Sequence, residues 1–421
     1  MRAWTWRAGR SGAIAIAAAL CVAATAHADV RFAAPDASAS AACAEADPCE
    51  IEVAIEGAQP GDVVRVLPGY YETTDGSDPI TIPSGVIVEG GIGEERPVID
   101  TPGFDGSGSE GEELHDVIVL HGYQDVPGVN RVDLIERVEV LGTATASNKP
   151  CVVGNGGAMR DSICLSLAYG ATALTVDHDC TDPEGTTAEI TNVTAVAIHD
   201  AQDNTYGVHV RASSACESRV LLENVIAQGH SFDIWMHNDG PAKLTLETAN
   251  SLYEKQIAFS GEQNVLDEVD RVTQPALFPD LPDLDLSQAP GSPSIDRGRG
   301  DGLGRLDVYG NARVQGGRID IGAQEFDAAP TVILTKPRAK RFVVGKRKRF
   351  KRVRVAFTAD ELSNFECKLD RRPWAPCESG VRFKLKAKRR KGALHTIRVR
   401  ATDMNGNRSV PAVWRGRVVQ R

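Results

Sequence analysis

Thr191-Asn192-Val193 and, 32 residues further on, Glu223-Asn224-Val225 are the clearest copies of the phrase that decides the fold. Glu136-Arg137-Val138, Arg160-Asp161-Ser162 and Glu247-Thr248-Ala249 extend it, each flanked by apolar residues. The middle positions fall 24, 31, 32 and 24 residues apart. A second set trails the first by about a dozen residues: Ala173-Leu174-Thr175-Val176, Gly207-Val208-His209-Val210 and Asp233-Ile234-Trp235-Met236. Repeats in the range of roughly 20 to 50 residues mark solenoids, propellers or arrays. The fixed leucine spacing of leucine-rich repeats and the four strands per unit of a propeller blade do not occur here. Coils of about 24 residues, two of them swollen by insertions, fit a parallel β-helix, in which each coil buries its apolar face only against its neighbours. That register predicts that Asp161, Asn192 and Asn224 stack at one turn, and that His209 and Trp235 hold equivalent places one coil apart.

Working toward the start of the chain, the punctuation persists. Val63 to Leu67, Ile80 to Ile82 and Val86 to Val88 are β-branched runs separated by Gly, Pro and Asp, which is strand-turn patterning rather than helical period. A single short helix is expected around Glu52 to Gly57.

Two stretches carry a resemblance. Cys43, Asp47-Pro48-Cys49 and Gly61-Asp62-Val63-Val64-Arg65-Val66-Leu67-Pro68-Gly69-Tyr70-Tyr71 resemble the N-terminal cap of pectin-lyase-like right-handed parallel β-helices of bacterial surface proteins. Gly291-Ser292-Pro293-Ser294-Ile295-Asp296, Asp307-Val308-Tyr309-Gly310-Asn311 and Gly316-Gly317-Arg318-Ile319-Asp320-Ile321-Gly322-Ala323-Gln324-Glu325-Phe326 are similar to the closing segment of the choice-of-anchor Q proteins. Further on, Phe365-Glu366-Cys367-Lys368-Leu369-Asp370, Pro376-Cys377 and the run from His395 to Asn407 resemble a bacterial Ig-like module. Alternation at Val353, Val355, Phe357 and at Ile397, Val399, Ala401 supports a β-sandwich independently of that likeness. The implied fold class is all-β: a right-handed parallel β-helix over 29–290, a choice-of-anchor Q-like closing segment over 291–327, a linker over 328–332 and a small basic Ig-like β-sandwich over 333–421.

Residues 1–28 read as a signal peptide: Arg2, Arg7 and Arg10, an apolar run from Ala13 to Ala24, then Ala26-His27-Ala28. The apolar run is too short for a bilayer span, which needs about 20 residues. Cleavage would leave eight cysteines, an even number that favours disulfides in an exported chain. On the order of a hundred pairings exist in principle. Spacing suggests local partners: Cys43 with Cys49, Cys151 with Cys164, Cys180 with Cys216, and Cys367 with Cys377. Paired C-x2-4-C knuckles, which a zinc site would want, are missing.

Net charge hides a partition. Residues 331–421 hold 27 Lys and Arg against 6 Asp and Glu, a balance of +21, whereas residues 29–330 hold 17 against 51, a balance of −34. Lys346-Arg347-Lys348-Arg349 and Lys388-Arg389-Arg390-Lys391 are the densest basic runs. For an exported chain the expected partner is a polysaccharide or cell-envelope polyanion rather than nucleic acid.

Catalytic patterns are sparse. Inverting hydrolysis needs two carboxyl groups roughly 6.5–9.5 Å apart; the Asp-Asp pair of pectin hydrolases does not occur here, and only Gly229-His230-Ser231 echoes their Gly-His-Gly. The Arg-x-Pro-x-x-Arg of pectate lyases does not occur. Histidines with nearby carboxylates at His199, Asp200, His230, Asp233, His237 and Asp239 are the candidate catalytic set. Asp177, Asp179 and Asp182, at near-alternate positions, are the candidate ligands for calcium, a hard cation that takes oxygen donors. The expectation is a monomeric, secreted or cell-surface protein that binds glycan or envelope material without catalysis. The alternative is a divergent polysaccharide lyase or glycoside hydrolase acting on an acidic polysaccharide.

Overall fold

The computed structural model describes residues 28–421 apart from 38–41, 74–77, 92–94, 109, 123–125, 144–148, 169, 181–184, 199–204, 214, 256, 282–283, 303–304, 316, 361–362, 390 and 403–406. The leader up to residue 27, Asp182, His199, Asp200 and Arg390 thus lie outside the described residues.

The first unit winds through three parallel sheets in fixed rotation. Sheet I has ten strands from Val30–Ala33 to Asn264–Val269, sheet II has seven from Tyr70–Glu72 to Ile226–Gln228, and sheet III has eight from Ile80–Ile82 to Ala258–Gly261. Every neighbour within a sheet is one coil away in sequence, which makes this a parallel β-helix. The expected strand Val86 to Val88 is realised as Ile87–Glu89, and the expected helix as Ile51–Glu56, whose Ile51, Ala54 and Ile55 are buried against the first coils. Inward side chains such as Val140, Leu174, Val208, Ile234 and Leu246 build one continuous apolar column.

The turn from sheet I to sheet II is set by backbone conformation. Asp116, Arg137, Asp161, Asn192, Asn224, Asn250 and Asp270 each follow a sheet I strand, and each has φ between 46° and 56°. Asn and Asp tolerate this left-handed region better than other non-glycine residues. The predicted stack is present: Asn224 Nδ2 donates to Asn192 Oδ1 at 2.9 Å, and Asn192 Nδ2 donates to Asp161 Oδ1 at 2.9 Å. One phase needs correcting. Thr248 was expected as the next member, but Glu223 pairs with Ala249, so Asn250 takes the turn and Thr248 points inward to Tyr253. The Glu-Thr-Ala phrase resembled its predecessors in composition while lying two residues out of register.

Sheet II is buried on both faces at its strands Ile163–Ser166 and Thr194–Ala197, whereas Tyr70–Glu72 and Glu139–Gly142 bury alternate residues. Its outward Ile163, Leu165 and Val196 are covered by Leu286, Val308 and Ala323, with Phe278, Leu281 and Leu284 alongside. The segment after the last coil therefore lies along the side of the solenoid. It is pinned to the asparagine turn: Arg299 N donates to Asn224 Oδ1 at 2.6 Å, Asn224 Nδ2 donates to the Arg299 carbonyl at 2.9 Å, and Arg305 Nη2 reaches Asp161 Oδ2 at 3.0 Å.

The C-terminal unit has its own core, in which Val353, Val355, Phe357, Ile397, Val399 and Ala401 are all buried, as their alternation predicts. Its sheets are mainly antiparallel: Asn364–Leu369, Ala393–Thr402 and Ala412–Gln420 form the centre, and Phe350–Arg354 pairs with Arg382–Lys386 as a two-stranded ribbon. Disulfides join Cys43 to Cys49, Cys151 to Cys164, Cys180 to Cys216 and Cys367 to Cys377, the four local pairs that spacing suggests.

Candidate functional site

Register places chemistry on the outer face of sheet III. Leu174, Val208 and Ile234 share an inward rung, so the adjoining rung Thr175, His209, Trp235 faces outward. The next outward rung is Asp177, Arg211, His237 and Ser260. Strands about 4.8 Å apart bring the rings of one rung into contact. His209 lies 4.2 Å from Trp235 at an interplanar angle of 9°, Tyr206 lies 4.7 Å from Trp235, and His237 lies 4.8 Å from it. Phe232, 6.2 Å from Tyr206 and partly exposed, extends the cluster. Trp235 Nε1 donates to Ser260 Oγ at 3.1 Å.

Burial keeps His209 uncharged. Desolvation, reinforced by His237, Lys149 and Arg211, pushes its pKa down to about 3. A neutral imidazole stacks on an indole without the cost of burying a charge.

The candidate calcium carboxylates are engaged with arginine. Asp179 accepts from Arg131 Nη2 at 2.7 Å and from Asn155 Nδ2 at 2.8 Å, while Asp177 lies 3.5 Å from Arg131 and 3.8 Å from Arg211. Among the described residues no group of three His, Cys, Asp or Glu side chains is placed to hold a metal ion. Asp177 and Asp179 thus face guanidinium groups from neighbouring coils, while Asp182 lies outside the described residues.

The candidate catalytic residues separate along one strand, Phe232–Asn238. At its start, Asp233 is buried and accepts the backbone N–H groups of Gly229, Glu254 and Lys255 at 3.0, 2.7 and 2.8 Å. His230 donates its backbone N–H to Thr205 Oγ1 at 2.9 Å. Both residues line a small concavity of about 220 Å³ with Lys255 and Glu254. Lys255 Nζ donates there to the carbonyls of Gly229 and His230. At the other end, His237 Nε2 lies 2.8 Å from Asp239 Oδ1. Four strand residues span roughly 13 Å, so the two halves of the set do not meet.

Sequence reasoning passed over Tyr206, Phe232, Arg131 and Lys255. The repeat carried a signal for Tyr206 and Phe232, which hold equivalent places one coil apart, as do His209 and Trp235. Arg131 and Lys255 have no such mark.

Together, the three sheets and the left-handed asparagine turn define an all-β parallel β-helix, with a ladder of rings on the outer face of sheet III. No family model matches the chain, and no curated protein matches it. Among solved structures the chain is similar to a pectate lyase, Pel9A, with 15 % identity and a TM-score of 0.36 over 70 % of this chain and 96 % of that one. Among the described residues no helix is long and apolar enough to cross a membrane, and the four disulfides fit an oxidising environment.

Proposed function

We propose that this is an exported, non-catalytic glycan-binding protein, led by a cleaved signal peptide over 1–28. Its β-helix contacts carbohydrate through the outer face of sheet III, and a choice-of-anchor Q-like segment runs along the solenoid's side. The basic Ig-like unit holds the chain near an anionic surface. The observation that carries this reading is the ladder Tyr206, His209, Trp235 and His237, flanked by the Arg131, Arg211, Asp177 and Asp179 ion pairs. Aromatic rings offer apolar area to the C–H faces of sugars, and flanking polar groups fix orientation. Binding also suits the ion pairs that Asp177 and Asp179 make with Arg131 and Arg211 and the contact of Asp239 with His237, since acid catalysis asks for a protonated carboxyl opposed to a free one.

The test has two arms. Full-length protein is screened by affinity electrophoresis against neutral and acidic polysaccharides, with Trp235→Ala as the contrast. The same polymers are incubated with and without calcium and followed for chain shortening and for ultraviolet absorbance of unsaturated ends. Retardation lost in Trp235→Ala without depolymerisation supports the reading. Depolymerisation would replace it with the polysaccharide lyase or hydrolase alternative.

A further inference from the structure

The C-terminal unit contains a surface whose charges oppose one another. In the ribbon Phe350–Arg354 with Arg382–Lys386, the antiparallel register sets Phe350 against Lys386, Arg352 against Lys384, and Arg354 against Arg382. Val353 and Leu385 point into the core. The alternate side chains therefore share the outward face, and all six are exposed: five cations and one phenylalanine. Lys384 Nζ sits 4.4 Å from the centre of the Phe350 ring.

Like charges directly across a sheet are destabilising. No ion pair between described residues involves these five cations: those of this unit are His395 with Asp370 and Arg400 with Glu366. The densest basic runs in the sequence are elsewhere: Lys346 to Arg349 occupy the turn before the ribbon, and Lys388–Arg389 pairs with Ala412–Gln420. The ribbon cations are scattered along the sequence, and only pairing collects them.

We propose that this ribbon face is the binding site for a linear acidic polysaccharide. The inference rests on the reading of the basic unit as the anchoring module, and it locates the contact and names the polymer class. Cations repeat along each strand at about 6.8 Å and across the ribbon at about 5 Å, a narrow double row that suits a rod of regularly spaced anions. Three of the five are arginines, whose planar forks take carboxylate and sulfate oxygens two at a time. Phe350, 43 % exposed at one end of the row, gives a sugar ring an apolar surface to lie on. A lipid surface is the poorer fit, since five of the six outward side chains are charged and a single ring is left to insert. Four disulfides fit the oxidising environment that the proposed export implies, which favours a polysaccharide over nucleic acid as the polyanion.

The test uses the full chain and four probes at low salt: heparin, polygalacturonate, vesicles of phosphatidylglycerol with phosphatidylcholine, and duplex DNA. Three variants are compared: R352Q/R354Q/R382Q/K384Q/K386Q, the milder R352Q/K384Q, and the control K346Q/R347Q/K348Q/R349Q. The expected result is binding to heparin or polygalacturonate that fades as salt shortens the Debye length from about 10 Å at 0.1 M to about 3 Å at 1 M. It should weaken at least tenfold in the five-site variant and severalfold in R352Q/K384Q, while the control loses less than either. The variants should melt no lower than the parent, because cross-strand repulsion is relieved. Should the five-site variant fail to fold, the double variant alone decides. Polysaccharide binding unchanged in the ribbon variants would overturn the proposal. So would tighter binding to vesicles or DNA than to either polysaccharide, or low-salt self-association lost in the ribbon variants without polysaccharide binding. Glycan retardation lost in Trp235→Ala but retained in the ribbon variants tests sheet III alone, so the two readings fail separately.

Discussion

Arg313 Nε donates to Asp161 Oδ1 at 2.8 Å across 152 residues of sequence, with both side chains buried. Asp161 is a member of the asparagine turn and also accepts from Asn192, so this one carboxylate joins the solenoid's stack to the segment along its side. Arg313 completes its contacts with Glu325 at 3.1 Å and the Gly322 carbonyl at 2.7 Å.

Removing one partner of such a pair strands the other. Asp161→Ala is expected to cost about 3–5 kcal/mol, whereas Asp161→Asn, which keeps an acceptor for Asn192 and tolerates the left-handed turn, should cost less. Chemical denaturation of both variants measures the difference. Equal stability of the parent and Asp161→Ala would show that the closing segment is held by apolar packing alone.

Stability should fall as pH rises through the neutral range. Burial and the neighbouring Asp320 carboxylate outweigh Arg313 and push Glu325 from an ordinary 4.5 up to about 8, and burial pushes Asp320 from 3.8 up to about 6. Between those limits the folded protein holds more protons than the unfolded chain, so this contribution is complete below about pH 4 and is lost as pH rises through 6 and then 8. Melting curves followed from about pH 7 to about pH 9 should decline, and Glu325→Gln, which keeps the acceptor, should flatten that decline.

His178 acts in the opposite direction. It sits inward at the coil position that Ala212 fills one turn later, is fully buried, and neither ring nitrogen has a hydrogen-bond partner among the described residues. Desolvation lowers its pKa from 6.5 to about 4. The unfolded chain takes up the proton first on acidification, so stability is lost as pH falls from 6.5 toward 4. His178→Leu is expected to remove that acid sensitivity, worth roughly 3 kcal/mol at most, and the comparison of acid-unfolding midpoints tests it.

Among the disulfides, Cys180 to Cys216 spans the most chain, 36 residues. Chain entropy assigns such a loop about 4 kcal/mol, more than the shorter loops closed by the other three bonds. Replacing both with serine should lower the melting temperature further than the same change at Cys43 and Cys49, and an unreduced peptide map should find neither thiol free.

Much of the solenoid could be read in advance because its information is periodic. Leu174, Val208 and Ile234 recur with the coil, and the alternating Val353, Val355 and Phe357 recur with the strand, so burial follows from spacing. The displaced Glu247-Thr248-Ala249 phrase shows the limit: composition repeated while hydrogen-bond register moved by two residues, and only pairing reveals that Asn250 takes the turn. The candidate site was legible in part. His209 over Trp235 follows from coil equivalence, whereas the separation of Asp233 from His237 depends on their sharing one extended strand.

By itself the sequence determined the coil period, the shared turn at Asn192 and Asn224, the local cysteine pairs and the charge split, because each is set by neighbours or by repetition along the chain. Tertiary structure decided what meets across coils and across strands. It placed Arg131 against Asp177 and Asp179, Arg313 on Asp161, and five cations from two separate strands on one ribbon face. Those relationships join residues that no period links, and they exist only once backbone pairing has fixed which strands lie side by side.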